Sequence, residues 1–447
     1  MTTQLPERLR ALADEAPSAL SAADLWQTGN RRHRLRVVAA LATATCLVLA
    51  AALLGNGAWR SRQPSPAAPP ATTSGPMSIP QPLFNPSPWI GATRTPGRLV
   101  AVLGATRDRF PFGSDRGALV GVTAGSQAYH FLDLPGRSPD AVNGTLSPDG
   151  RHYVYWINGM PRRASDLGDR SIVGVAVLDL TSGAVQREEL VTEHGLAPVG
   201  LTWVDAHTVA IAADSYTSHR VNSFGGRTRV GLLTLGSRDL VRLPRSSVTD
   251  VPVTTTGGIY AGLVGHRVLR TYPRNLSGMA VQPGPSRRPS DLQLSGAVRS
   301  IAYDAPGGRV AAVAGNPDRS GPTSDQLEVG RVDHGHVHLT LVPGGRRYSD
   351  VTAWVDATHV ATVRQTRNGL IYDVVDVRTG ARRELTRKPW YGFDIAGDAL
   401  RHATTVPGIE PHRPWNPRWV AGGILGGMLL LGGGTLLVSR RSRRVRR

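Results

Sequence analysis

The sequence predicts an all-β chain: short four-stranded antiparallel sheets, repeated along the middle of the molecule and held between two apolar segments. Three observations carry this expectation. A strand-turn-strand pattern recurs at near-constant spacing. Gly (51) and Pro (33) are abundant, and both residues punctuate strands with turns. The runs Val37 to Leu54 and Trp419 to Val438 carry no charge and have the length of bilayer-crossing helices.

The repeating unit is clearest between residues 146 and 188. Leu146-Ser147-Pro148-Asp149-Gly150 reads as a strand end and a tight turn. Pro148 presets its φ, Asp149 can bond its own backbone and Gly150 tolerates positive φ. Tyr153 to Ile157 and Val173 to Leu180 are β-branched and aromatic runs that suit strands. The third-strand ends recur. They include Phe131-Leu132-Asp133-Leu134, Val177-Leu178-Asp179-Leu180, Leu232-Leu233-Thr234-Leu235, Val268-Leu269-Arg270-Thr271, Gly330-Arg331-Val332-Asp333 and Val374-Val375-Asp376-Val377. Asp133 to Asp376 is 243 residues over five intervals, or 48.6 each. The first turn also recurs: Trp203-Val204-Asp205-Ala206 matches Trp354-Val355-Asp356-Ala357, and Tyr303-Asp304-Ala305-Pro306 occupies the same slot. The unit at about 250–290 is the weakest copy.

In chain order, residues 1–36 read as a cytoplasmic leader. Leu9, Leu12, Leu25 and Trp26 are its anchors for a cytoplasmic partner. Residues 37–58 read as a first transmembrane helix, preceded by Arg31, Arg32, Arg34 and Arg36 and followed by Trp59. A cleaved signal peptide is the rival reading; a leader of 36 residues favours an uncleaved anchor. Residues 59–97 are a Pro-rich extracytoplasmic linker. Residues 98–406 are the repeat domain and 407–418 a second Pro-containing stalk. Residues 419–438 read as a second transmembrane helix, with Gly422-x-x-x-Gly426 offering close helix approach. Residues 439–447 are a basic tail with six Arg. Tryptophan outside and arginine inside at both spans predicts a plasma-membrane protein. Both termini are then cytoplasmic and the repeat domain extracytoplasmic.

Net charge is +19, but twelve Arg sit in 1–36 and 439–447, leaving 40 basic against 29 acidic residues elsewhere. The dense charge is topological, so no nucleic-acid partner is expected. Of 52 basic residues only Lys388 is lysine. The single cysteine, Cys46, lies in the first apolar run, which excludes a disulfide and Cys-ligated zinc in the repeat domain.

Ser147-Pro148-Asp149-Gly150, with Leu178-Asp179-Leu180-Thr181-Ser182-Gly183, resembles the blade pattern of TolB-like and WD40-like β-propellers over roughly 300 residues. The Gly-His and Trp-Asp marks of true WD40 repeats do not recur, so the TolB-like form fits better. The layout also resembles membrane-anchored envelope propellers of GC-rich bacteria. The resemblance implies six blades, or seven if runs 391–397 and 400–406 close the ring with Arg98 to Gly104. Such closure would place the two ends of the domain side by side.

Chemistry-bearing clusters are sparse. Asp333-His334-Gly335-His336-Val337-His338 places two imidazoles on one strand face, yet reads as an exposed turn and outer strand. Asp149, Asp205, Asp304 and Asp356 occupy equivalent first turns, and Asp133, Asp179 and Asp376 lie at strand ends, so turn chemistry accounts for them. There is no Gly-x-Ser-x-Gly elbow, phosphate loop, dinucleotide fingerprint or His-Glu-x-x-His. The expectation is a sensory or scaffold module that is not an enzyme. It has no catalytic, cofactor-binding or metal residues assigned, and it binds an unknown protein or cell-envelope ligand at the propeller funnel or rim. The alternative is an envelope hydrolase or lyase using rim carboxylates.

Overall fold

The computed structural model describes residues 76–108, 113–138, 144–163, 165–220, 228–237, 240–243, 251–256, 261–264, 267–272, 290–314, 325–367, 369–388, 393–414, 416–419, 421–423 and 427. The leader, the first apolar run and the basic tail lie outside these residues. So does the second apolar run, apart from 419, 421–423 and 427. Among the described residues no helix is long and apolar enough to cross a membrane.

Strand β1 (Ile79–Gln81) is followed by β2 (Ala92–Thr93), β3 (Leu99–Asp108), β4 (Ser114–Thr123) and β5 (Tyr129–Leu132). The second sheet holds β6 (Thr145–Leu146), β7 (His152–Asn158), β8 (Ile172–Asp179) and β9 (Val185–Glu189). The third holds β10 (Leu196–Trp203), β11 (Thr208–Ser215), β12 (Arg229–Thr234) and β13 (Leu240–Arg242). Each is an up-and-down meander, as tight turns between successive strands dictate. A further four-stranded sheet, β23 (Asp350–Trp354), β24 (His359–Thr366), β25 (Gly369–Asp376) and β26 (Arg382–Lys388), repeats the pattern.

Between the third and last of these lies a nine-stranded sheet. It contains β14 (Val251–Thr256), β15 (Ala261–Val264), β16 (Val268–Thr271), β17 (Ser290–Leu294), β18 (Val298–Asp304), β19 (Arg309–Ala314), β20 (Gln326–Asp333), β21 (His336–Val337) and β22 (Thr340–Arg346). The arrangement is propeller-like, but the blade count corrects the expected six: four blades stand as separate sheets. The fourth and fifth repeats are joined. Val251–Val253 of β14 pairs with β15, while Thr254–Thr256 pairs in parallel with β18. The second joint is parallel pairing of Gln293 and Leu294 with His336 and Val337. The cause is visible in the fourth repeat. It carries neither turn motif, and its β15 and β16 are four residues each. Short strands leave free edge groups that pair with the neighbour.

Among the described residues no separate seventh sheet forms. Strand β27 (Phe393–Ile395) pairs antiparallel with β3, with Asp394 opposite Val102, and so joins the first sheet. Residues 400–406 are not one strand. Helix α1 (Gly397–His402) ends at Ala403 in the left-handed region, and β28 (Thr405–Pro407) pairs in parallel with β1. The stretches read as linker and stalk are partly structural. Gly408 N–H donates to Gln81 O (2.9 Å), Ile409 N–H to Gln127 Oε1 (2.9 Å), and the Arg418 guanidinium lies 5.2 Å from the Trp89 ring centre.

Strands covered on both faces by neighbouring sheets need apolar residues at every position, not every second one. Thus Tyr153 to Ile157 and Val173 to Leu178 are buried throughout. The Ser147–Gly150 turn is locked by its own side chains. Buried Ser147 Oγ donates to Asp149 Oδ1 (2.6 Å) and accepts from His152 N–H (2.9 Å). Gly150 has φ +72°, and a Cβ there would strike the Leu99 carbonyl oxygen.

The duplicated Trp-Val-Asp-Ala motif is an inter-sheet latch. Trp203 Nε1–H donates to Thr145 O on β6 (3.1 Å), and Trp354 Nε1–H to Ala302 O on β18 (3.2 Å). Each indole thus bonds a carbonyl of the first strand of the preceding repeat. His152 is 6.1 Å from the Trp203 ring centre, and the Arg309 guanidinium is 4.8 Å from that of Trp354. Trp203→Phe and Trp354→Phe keep the ring and orphan one carbonyl, so each is expected to cost about 1–2 kcal/mol. Urea unfolding should show the two losses adding, because the sites share no partner.

Lys388, the one lysine, is 1 % exposed, and its Nζ donates to Gly104 O (2.9 Å). Burial lowers its ammonium to about 8 from 10.5. The unfolded chain therefore binds more protons between those values, and stability rises with pH across that window. The rise is about 3 kcal/mol at most. Denaturation at stepped pH should show it in the wild type and not in Lys388→Met.

Candidate functional site

The first strands of successive repeats touch in the order β27, β6, β10, β14, β18, β23. Two of them carry carboxylates that bond the neighbouring strand. Asp394, on β27, accepts hydrogen bonds from Thr145 Oγ1–H (2.8 Å) and Leu146 N–H (2.7 Å) of β6. Asp350, at the start of β23, accepts one from Ser300 Oγ–H of β18. Val351 N–H in turn donates to Ser300 Oγ (3.1 Å). Each carboxylate thus ties its strand to the neighbouring inner strand.

Water reaches both side chains: Asp350 is exposed and Asp394 half-buried. Protein atoms nevertheless crowd both, and this desolvation raises the two carboxyls above the ordinary value. For Asp394 burial outweighs the hydrogen bonds from Leu146, Thr145 and Ile395; for Asp350 it outweighs those from Ser300 and Val351 and the charge of Arg299. Tyr372 lies within the field of both. Its phenol is pushed well up by burial first, then by Asp394 and Asp350. Tyr153 is raised by burial and by Asp394. Arg299, exposed beside Ser300, also pairs with Asp325 (3.1 Å).

This set can accept hydrogen bonds from a ligand, face a cationic group, or hold and release a proton. It includes no residue singled out in the sequence. The signal was present: aspartate is depleted in strands, and Asp350 and Asp394 sit in strand runs without a turn motif. The turn aspartates are elsewhere and do what turns require. Asp149, Asp205 and Asp356 accept from Arg151 (3.1 Å), His207 (2.8 Å) and Thr358 (2.7 Å) N–H groups. Asp179 and Asp376 accept from Thr181 and Arg378 N–H (2.8 Å each). Asp304 pairs with Arg309 and Asp133 with Arg94. His334, His336 and His338 are exposed on the β20–β21 hairpin. Among the described residues no group of three His, Cys, Asp or Glu side chains converges to hold a metal.

No family model matches the chain, and no curated protein matches it. Solved structures similar to it include TolB from Acinetobacter baumannii, at 14 % identity and TM-score 0.43, covering 68 % of this chain and 66 % of that one. This chain therefore spans a little under two thirds of that structure. A putative 6-phosphogluconolactonase from Bacteroides uniformis matches at 12 % identity and TM-score 0.39, covering 66 % and 83 %. An acylaminoacyl peptidase matches at 12 % and 0.41, covering 69 % and 46 %. These likenesses assign no activity. The expectation that the chain is not an enzyme is corrected all the same. Solved structures similar to it include a putative 6-phosphogluconolactonase and an acylaminoacyl peptidase, both distant at 12 % identity.

A raised carboxyl binds its proton more tightly in the folded chain. Its contribution to stability is present below the ordinary value of 3.8 and is lost as pH rises through the raised one. Asp394→Asn keeps the acceptor and removes the charge. Thermal unfolding is expected to lose stability with rising pH across that window in the wild type, and less in Asp394→Asn.

Proposed function

We propose that this chain is a membrane-anchored extracytoplasmic β-propeller that binds a cell-envelope ligand or protein at its central channel, with Asp350 and Asp394 as the contact groups. The parallel pairing of β1 with β28 carries the reading, with Ile79 opposite Thr405. The chain enters and leaves the propeller at one place, as two anchors in one bilayer require. The apolar runs at 37–54 and 419–438, with Arg on one side and Trp on the other, supply those anchors. Residues 1–36 are then available to a cytoplasmic partner.

A second reading is catalysis at the same carboxylates, as in an envelope hydrolase or lyase. Two carboxyls whose proton affinity is raised by crowding favour it, because perturbed carboxyls are the groups that acid–base chemistry draws on.

In-cell crosslinking followed by purification of the intact protein tests the binding reading. Wild type is expected to retain an extracytoplasmic partner or ligand that Asp350→Asn/Asp394→Asn loses, while the double variant melts as a folded protein. Equal recovery by both would place binding elsewhere. Reporter fusions at residues 30 and 447 that score as extracytoplasmic would overturn the topology.

A further inference from the structure

A cavity of about 540 Å³ lies on the sheet β23–β26, away from the inner strands. Its size falls within the roughly 300–1,000 Å³ of small-ligand sites. The strap after β1 forms one wall. Leu83 N–H donates to Arg387 O (3.1 Å), and Thr386 Oγ1–H donates to Pro80 O (2.7 Å), so the strap runs along β26. Phe84 N–H is held by the Tyr129 hydroxyl (3.0 Å). The end of the β25–β26 pair forms another wall, with Leu370 opposite Lys388 and Ile371 opposite Arg387. Glu410 to Arg413 closes a third side.

The lining divides by chemistry. Leu83, Phe84, Leu370 and Ile371 make an apolar interior. Arg387 and Arg413 supply two basic side chains beside Glu410, while the Lys388 Nζ is turned away to Gly104 O. Arg387 is 63 % exposed and Arg413 77 %. They pair with Glu384 (2.7 Å) and Glu410 (2.8 Å), and a guanidinium with five N–H donors keeps others for a second acceptor. Arg413 is six residues from Trp419, where the second apolar run begins. An extended chain of that length reaches at most about 20 Å.

We propose that this cavity binds a single-chain anionic amphiphile, a fatty-acid carboxylate, with its chain against Leu83, Phe84, Leu370 and Ile371 and its head at Arg387 and Arg413. Burial of a methylene chain supplies the driving force, and the paired guanidiniums select a carboxylate head. The site is separate from the channel, so it stands whether or not Asp350 and Asp394 bind anything.

The test is calorimetric titration of dodecanoate into the full chain in nanodiscs of zwitterionic lipid. The expected result is one saturable site that weakens at least ten-fold in Leu370→Trp, which fills the cavity. It should weaken several-fold in Arg387→Gln/Arg413→Gln, and dodecanol should bind more weakly than dodecanoate. A melting temperature near wild type confirms that Leu370→Trp folds; if it does not fold, the exposed arginine pair decides alone. Absence of a saturable site overturns the proposal, as does wild-type binding by the deciding variant. Dodecanol binding as tightly as dodecanoate overturns the anionic head. Binding of a lysophospholipid but not dodecanoate overturns the carboxylate in favour of a membrane-derived phosphate.

Discussion

The pairing of β27 with β3 joins the two ends of the folded region in one sheet. Phe393–Ile395 comes from near the end of the folded region, Leu99–Asp108 from near its start. Their hydrogen bonds cover the edge of β3, which would otherwise offer itself to another chain. Closure is slow to reach along the chain and is repaid only when the intervening sheets are in place. Once formed, it fixes Asp394 against Thr145 and Leu146, and so fixes the first inner strand against the second. It also brings β28 beside β1. The common entry and exit and the strap along β26 both follow from this one pairing.

The same geometry explains why polar groups collect where they do. Faces between sheets are apolar on both sides, as the clusters around Trp156, Val175 and Val209 illustrate. Polar groups collect where first strands of neighbouring repeats meet: Thr145 bonds Asp394 there, and Ser300 bonds Asp350. Desolvation there comes from crowding and not from enclosure, so these carboxyls are perturbed while still reachable.

Much of the fold was legible because turns are local. Ser147-Pro148-Asp149-Gly150 and the two Trp-Val-Asp-Ala copies state their conformation within a few residues. The latch made by Trp203 and Trp354 was visible as a repeat, although its partner carbonyls, about 50 residues upstream, were not. Ring closure near Arg98 to Gly104 was expected, but its form was not, because a three-residue strand carries too little periodicity to show which sheet it joins. The joining of the fourth and fifth repeats depends on edges left free by short strands, which no local motif records. Unlike the turn aspartates, which serve the backbone, Asp350 and Asp394 stand in no repeating motif. Their own role arises only where distant strands meet.

Lys388 carries a consequence for chemical probing. All 51 other basic residues are arginine, so the chain offers a single ε-amino group, and it is beneath the surface against Gly104. Acylating reagents meet an arginine-covered protein that is almost inert to them. The rate at which this one amine becomes labelled is therefore a built-in clock for the opening of β26 from the first sheet.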